Sequence, residues 1–274
     1  MSIAITSSGA RIAWDSFGDE AHTPIILIQG FSAQMVGWRP GFCQCLADEG
    51  FRVIRFDNRD VGESQRYPEG GYSLGDLADD TAAFLDVLKL ESAHIVGQSM
   101  GGMIAQLLAV QHPQRVRSLG LLYTAANSNH YLSRDVIEAR MARPLPTTRQ
   151  DYVPYYVESE EGCASSGYPQ DKAWLAEVAG VIWDRGWDPT GTQRQLEALL
   201  NAPERNDSLH SIKVPTAIIA GDADQLINSA ASVEVHEHIP GSKLKIFPGM
   251  GHELPQPLWG EIAQVLAANV RAAS

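Results

Sequence analysis

The chain is poor in cysteine, poor in basic residues and free of long apolar runs, and each shortage removes a class of protein. Three cysteines, Cys43, Cys45 and Cys163, are too few for a disulfide framework and lack a zinc-ligand spacing. Buried, reduced thiols are therefore expected. Lys and Arg number 21 against 33 Asp and Glu, a formal net charge of −12 over 274 residues with no Lys/Arg cluster. Nucleic acid and anionic membrane surfaces are excluded as main partners, because both select a basic patch. No apolar run approaches the roughly 18 residues that a membrane span needs. The opening "MSIAITSSGARIAWDSFG" has neither a basic leader nor a continuous apolar segment. A cytoplasmic location is the expectation.

What is present is a regular alternation. The short, β-branched runs "PIILIQG", "FRVIRFDN", "AHIVGQ", "VRSLGLLYT", "VPTAIIAGD" and "SKLKIFPG" are separated by amphipathic segments. Strand-then-helix repetition predicts an α/β fold with a mostly parallel sheet flanked by helices, and the N-terminal stretch reads as an antiparallel hairpin at one edge. The alternation breaks once, between about 127 and 211. That interval carries Tyr152, Tyr155, Tyr156, Tyr168, Trp174, Trp183 and Trp187 on helical stretches with no evident core strand. A structureless loop of that length is implausible in a compact domain. We expect a core domain over 1–126 and 212–274, with 127–211 inserted as a helical cap.

In open parallel sheets, ligands bind beyond the carboxyl ends of the strands, so residues just after strands carry the chemistry. Ser99 follows "AHIVGQ" on the turn "GQSMGG", between Gly97 and Gly101, whose missing side chains allow a tight strand-to-helix turn. Asp222 and Asp224 follow "VPTAIIA" in "GDADQL", and His252 follows "KLKIFPG" in "GMGHELP". A serine hydroxyl is too weak an acid to attack a carbonyl unaided. It needs a histidine to accept its proton and a carboxylate to orient that histidine. Of the eight histidines, His94 begins a strand, His112 precedes Pro113 at a helix end, and His236 and His238 occupy a surface helix. His252 alone stands in a glycine-rich loop after a late strand.

With these segments the sequence resembles the α/β-hydrolase fold superfamily along essentially its whole length, with a likeness to small carboxylesterases and methylesterases. The order Ser99, Asp224, His252 fits that resemblance, which prefers Asp224 because the family's acid lies three residues after the glycine, here Gly221. Asp222 reads as a turn-former. "QGFSAQMVGW" corresponds to the family's oxyanion loop with Gln29 in place of histidine. "FDNRDVGESQ" corresponds to its Asp-x-Arg-Gly-x-Gly-x-Ser loop, with Val61 taken as the replacement for a glycine.

The resemblance implies an eight-stranded sheet, an oxyanion hole of the Phe31 and Met100 N–H groups, and no cofactor or metal. It implies hydrolysis of a small-molecule carboxylic ester of short to medium acyl chain, by a monomer or homodimer. Enol-lactone hydrolysis, carbon–carbon bond hydrolysis and cofactor-free perhydrolysis run on the same scaffold. A non-catalytic small-molecule receptor is the alternative from another class.

Overall fold

The computed structural model describes residues 1–130 and 142–273. The expected cap interval therefore lies partly outside the described residues. Eight strands form one sheet in the order β1-β2-β4-β3-β5-β6-β7-β8. The hairpin β1 (Ser2–Ile5) and β2 (Arg11–Phe17) is antiparallel, and β2 pairs antiparallel with β4 (Phe51–Phe56). From β4 onward β3 (Thr23–Ile28), β5 (Ala93–Gln98), β6 (Val116–Leu122), β7 (Thr216–Gly221) and β8 (Lys243–Phe247) run parallel.

Helices cover both faces, so the central strands are apolar at consecutive positions rather than at alternate ones. Ile26 and Ile28 face one core with Ile54 and Phe56, beneath α2 (Leu74–Val87) and α3 (Met100–Gln111). Ile25 and Leu27 face the other with Val53, beneath α1 (Pro40–Asp48) and the C-terminal helix.

Between β6 and β7 the chain leaves the sheet and forms α4 (Arg149–Glu160), α5 (Lys172–Asp184), α6 (Pro189–Leu200) and the short α7 (Asn206–Leu209). Side-chain caps start the first three of these: Thr148 accepts from the Asp151 N–H, Asp171 from Trp174 and Asp188 from Thr190. Tyr152 anchors a small separate core, its ring 4.7 Å from that of Trp187 and 5.5 Å from that of Trp183. Ala198, Leu209 and Ile212 instead join the main core, so the end of this interval packs as part of the sheet layer. After β7 come α8 (Ser229–His238) and, after β8, α9 (Trp259–Arg271).

Candidate active site

Strand β5 ends at Gln98 and α3 begins at Met100, leaving Ser99 alone on the turn with φ 53° and ψ −124°. A non-glycine residue in such backbone is strained, and its neighbours must hold it there. Its N–H donates to Leu122 O at 2.9 Å, and its carbonyl accepts from Thr124 Oγ1 at 2.8 Å. Close packing completes the constraint: a Cβ at position 97 would lie 2.1 Å from Gly101 O, and one at 101 would lie 2.2 Å from Ile28 O.

The loops after β7 and β8 bring the other candidates to this turn. The Ser99 hydroxyl lies 2.9 Å from His252 Nε2, and His252 Nδ1 lies 2.7 Å from Asp224 Oδ2. The Asp224 side chain is 1% exposed, and its Oδ1 accepts the Leu226 and Ile227 N–H groups at 2.8 and 3.0 Å. One carboxylate oxygen is thus tied to backbone while the other faces the imidazole. Asp222 makes no such contact. Its carboxylate accepts from the Gly249 N–H at 2.6 Å and so supports the histidine loop from below.

The loop after β3 lies against the same turn, since a Cβ on Gly30 would approach Ser99 Cβ to 3.3 Å. Its donors are allotted one by one. The Gly30 N–H donates to Gln29 Oε1 at 2.8 Å, and the Ser32 N–H donates at 2.8 Å to Oε1 of Gln195, a buried residue of α6. Phe31 lies between them. Among the described residues, neither its N–H nor that of Met100, the first residue of α3, donates a hydrogen bond. Two free N–H groups beside a serine hydroxyl are the parts needed to receive a developing negative oxygen.

Gln29 organises the floor of this loop. Gln98 Nε2 donates to Gln29 Oε1, and the Tyr123 hydroxyl donates to Gln98 Oε1. Tyr123 was not singled out from the sequence, although it directly follows β6 at the carboxyl end where functional residues collect. Its ring centroid is 4.7 Å from that of His252, and burial, reinforced by the charge of Asp224, pushes its phenol well above the ordinary value. It therefore remains a neutral donor. Glu160, at the end of α4, was also missed. Burial raises its carboxyl to about 7, opposed by the charge of His252 and reinforced by that of Glu253.

One sequence assignment needs correction. Counted from Asp57, the glycine position of the Asp-x-Arg-Gly-x-Gly-x-Ser loop falls on Asp60, and Val61 occupies the variable position after it. Asp60 adopts φ 66°, the left-handed conformation that favours glycine, while its carboxylate accepts from Arg194, Tyr72 and the Tyr67 N–H at 2.7 to 2.8 Å. The cysteines also differ from expectation. Only Cys43 is buried, its thiol pushed up to about 12 by burial, while Cys45 and Cys163 are half-buried. No group of three or more His, Cys, Asp or Glu among the described residues is arranged to hold a metal ion.

The model of the alpha/beta hydrolase fold family matches residues 23–255. The chain belongs to that family. Rhodomycin D methylesterase from Streptomyces sp. (strain C5) is 27% identical to this α/β-hydrolase over 98% of each chain. The dihydrolipoyllysine-residue acetyltransferase component of the acetoin cleaving system of Pseudomonas putida is 35% identical, over 96% of this chain and 67% of that protein. Among solved structures, an esterase from Rhodococcus sp. ECU1013 superposes with a TM-score of 0.78 at 21% identity, over 98% of this chain and 99% of the esterase. No helix among the described residues is long and apolar enough to cross a membrane.

Proposed function

We propose that this α/β-hydrolase cleaves carboxylic esters of short to medium acyl chain through an acyl-serine intermediate. The observation that carries the proposal is the unbroken contact series from Ser99 Oγ through His252 to Asp224. His252 Nε2 takes the hydroxyl proton as Ser99 Oγ bonds to the ester carbonyl carbon. Asp224 holds the Nδ1 tautomer and stabilises the imidazolium that results. The carbonyl oxygen becomes an oxyanion between the Phe31 and Met100 N–H groups. Collapse breaks the bond to the alcohol, which leaves with the proton held on Nε2. Water, deprotonated by the same nitrogen, then releases the acid and restores Ser99.

The ester class is supported by the methylesterase relative, which shares almost the whole length of the chain. The limit on acyl length rests on the aromatic helices α4 and α5, whose core around Tyr152 packs against Val36 close to the Phe31 loop. Steady-state constants across chromogenic acetate, butyrate, octanoate and palmitate esters test the proposal, with a lactone and a carbon–carbon cleavage substrate beside them. The expected optimum is at butyrate or octanoate, with no requirement for added metal. Turnover of the carbon–carbon substrate alone would overturn the esterase reading while leaving the fold intact.

A further inference from the structure

The loop that carries His252 has two sides, and the proposed chemistry uses only one. On the acid side, Gly249 N–H donates to Asp222, Asp222 N–H donates to Phe247 O, and Ala223 N–H donates to Met250 O. On the other side lies a segment of the helical insertion, residues 163–167, which follows α4. Gly167 N–H donates to Gly249 O at 2.8 Å, Gly251 N–H donates to Ser165 Oγ at 2.9 Å, and Ser165 N–H donates to Glu253 Oε1 at 2.7 Å. The two segments run in opposite directions, 167 beside 249 and 165 beside 251 and 253.

They also lie too close for side chains between them. A Cβ on Gly251 would meet Ala164 O at 2.5 Å, and one on Gly249 would meet Gly167 Cα at 2.7 Å. His252 therefore projects from a short stretch whose neighbours on both sides, 251 and 253, are bonded to one serine.

We propose that Ser165 is a positioning residue for His252, fixing the imidazole's distance to Asp224 and Ser99 by holding the backbone at Gly251 and the carboxylate of Glu253. This rests on the assignment of His252 as the proton acceptor. Ser165 reaches the reaction only through that loop, so its loss falls on kcat and leaves KM little changed. The groups that surround the imidazole and could themselves disturb it are Asp224 from the β7 loop, Tyr123 after β6, Glu160 from α4 and Glu253 beside it, with Cys163 of the 163–167 segment close to Tyr123. Ser165→Ala replaces none of these side chains and keeps the backbone N–H that binds Glu253, so it removes only the bond from the Gly251 N–H to Oγ.

The test compares the wild type with Ser165→Ala, Ser165→Thr and Gly167→Ala, the last of which would place a methyl 3.0 Å from Gly249 Cα and part the two segments from their other end. Two readouts are taken: kcat and KM on a butyrate ester, and the low-field proton NMR signal of the His252 Nδ1–H, which reports its bond to Asp224 without any substrate. Displacing a catalytic group by a fraction of an ångström costs on the order of tenfold or more in turnover. Ser165→Ala and Gly167→Ala are expected to lose about that much in kcat, with the NMR signal moved upfield and broadened, while Ser165→Thr keeps both within about twofold of wild type. An unchanged signal in Ser165→Ala overturns the proposal, whatever happens to its melting temperature. If the wild type cleaves no ester, the function proposed above fails, and the NMR comparison still decides the role of Ser165.

Discussion

The helices between β6 and β7 meet the sheet's loops along two seams of opposite chemistry. At the first, ions dominate. Arg185, which ends α5, pairs with Asp57 and also donates to Gln34, and Arg194 of α6 reaches Asp60 with two bonds. Both acids are completely buried at their side chains, and each arginine is largely covered. At the second seam, backbone amides, one serine hydroxyl, facing glycines and the Glu253 carboxylate, which accepts from the Ser165 N–H, join 163–167 to the histidine loop, and the nearby acid Glu160 has no arginine or lysine paired with it among the described residues.

The difference teaches where each kind of contact is useful. A buried ion pair fixes orientation strongly but leaves a costly orphan if either partner is lost. Such contacts suit an anchor remote from moving protons. Amide and hydroxyl bonds place no arginine beside an imidazole that, in the proposed mechanism, gains and loses a charge at each turnover. Damage to the first seam should therefore appear as lost stability, and damage on the histidine side as lost turnover.

The sharpest separation is expected from the acids. Asp224→Asn should lower kcat by roughly 10⁴-fold with little change in melting, because the amide favours the wrong imidazole tautomer. Asp222→Asn should cost far less, because among the described residues that carboxylate accepts a hydrogen bond only from the Gly249 N–H. Comparable losses in the two variants would break the assignment of Asp224. Next in size is Arg185→Met, which leaves the Asp57 carboxylate buried and unpaired. Urea unfolding should show a loss of about 3–5 kcal/mol. Turnover by the fraction that remains folded should be close to wild type.

Gln195→Ala offers a mixed case, since α6 reaches the loop after β3, the proposed oxyanion loop, through this side chain. Removing an oxyanion donor outright costs about 10²–10³ in kcat, and loosening the loop beside Phe31 should cost about tenfold. The effect should be similar for every acyl length, and a change confined to KM would show that Gln195 serves binding instead. Opposite in sign is Glu160→Gln, which should gain stability. The folded carboxyl holds its proton up to about 7, against 4.5 for the free group. The wild type therefore loses stability as pH rises from 4.5 through 7, because the unfolded chain ionises first. Melting temperatures of variant and wild type should coincide below pH 4.5 and diverge in the variant's favour up to about pH 7, then run parallel.

Most of the scaffold can be read from local sequence. Strands buried on both faces write themselves as short apolar runs, and the residues just beyond their carboxyl ends are few enough to sort, which is how Ser99, Asp224 and His252 emerge as the candidates. The two seams are not legible in this way. Ser165 meets Glu253 across 88 positions, and Arg185 meets Asp57 across 128. Nothing in the spacing of a serine or an arginine along a helical insertion announces a partner so distant. Tyr123 is the exception, because its place directly after β6 is visible in "GLLYT" and only its contact with His252 needed the fold. Asp60 is legible too, since it stands three residues after Asp57 at the loop's glycine position, and its positive φ is the conformation that glycine would supply.

The central claim is that Ser99 is a nucleophile activated by His252. Treatment with a serine-directed phosphonate followed by peptide mass spectrometry tests it most directly. One adduct per chain is expected, on Ser99, formed by the wild type and not by Ser99→Ala, and formed far more slowly by His252→Gln. An adduct on any other residue, or labelling of His252→Gln at the wild-type rate, would contradict the account.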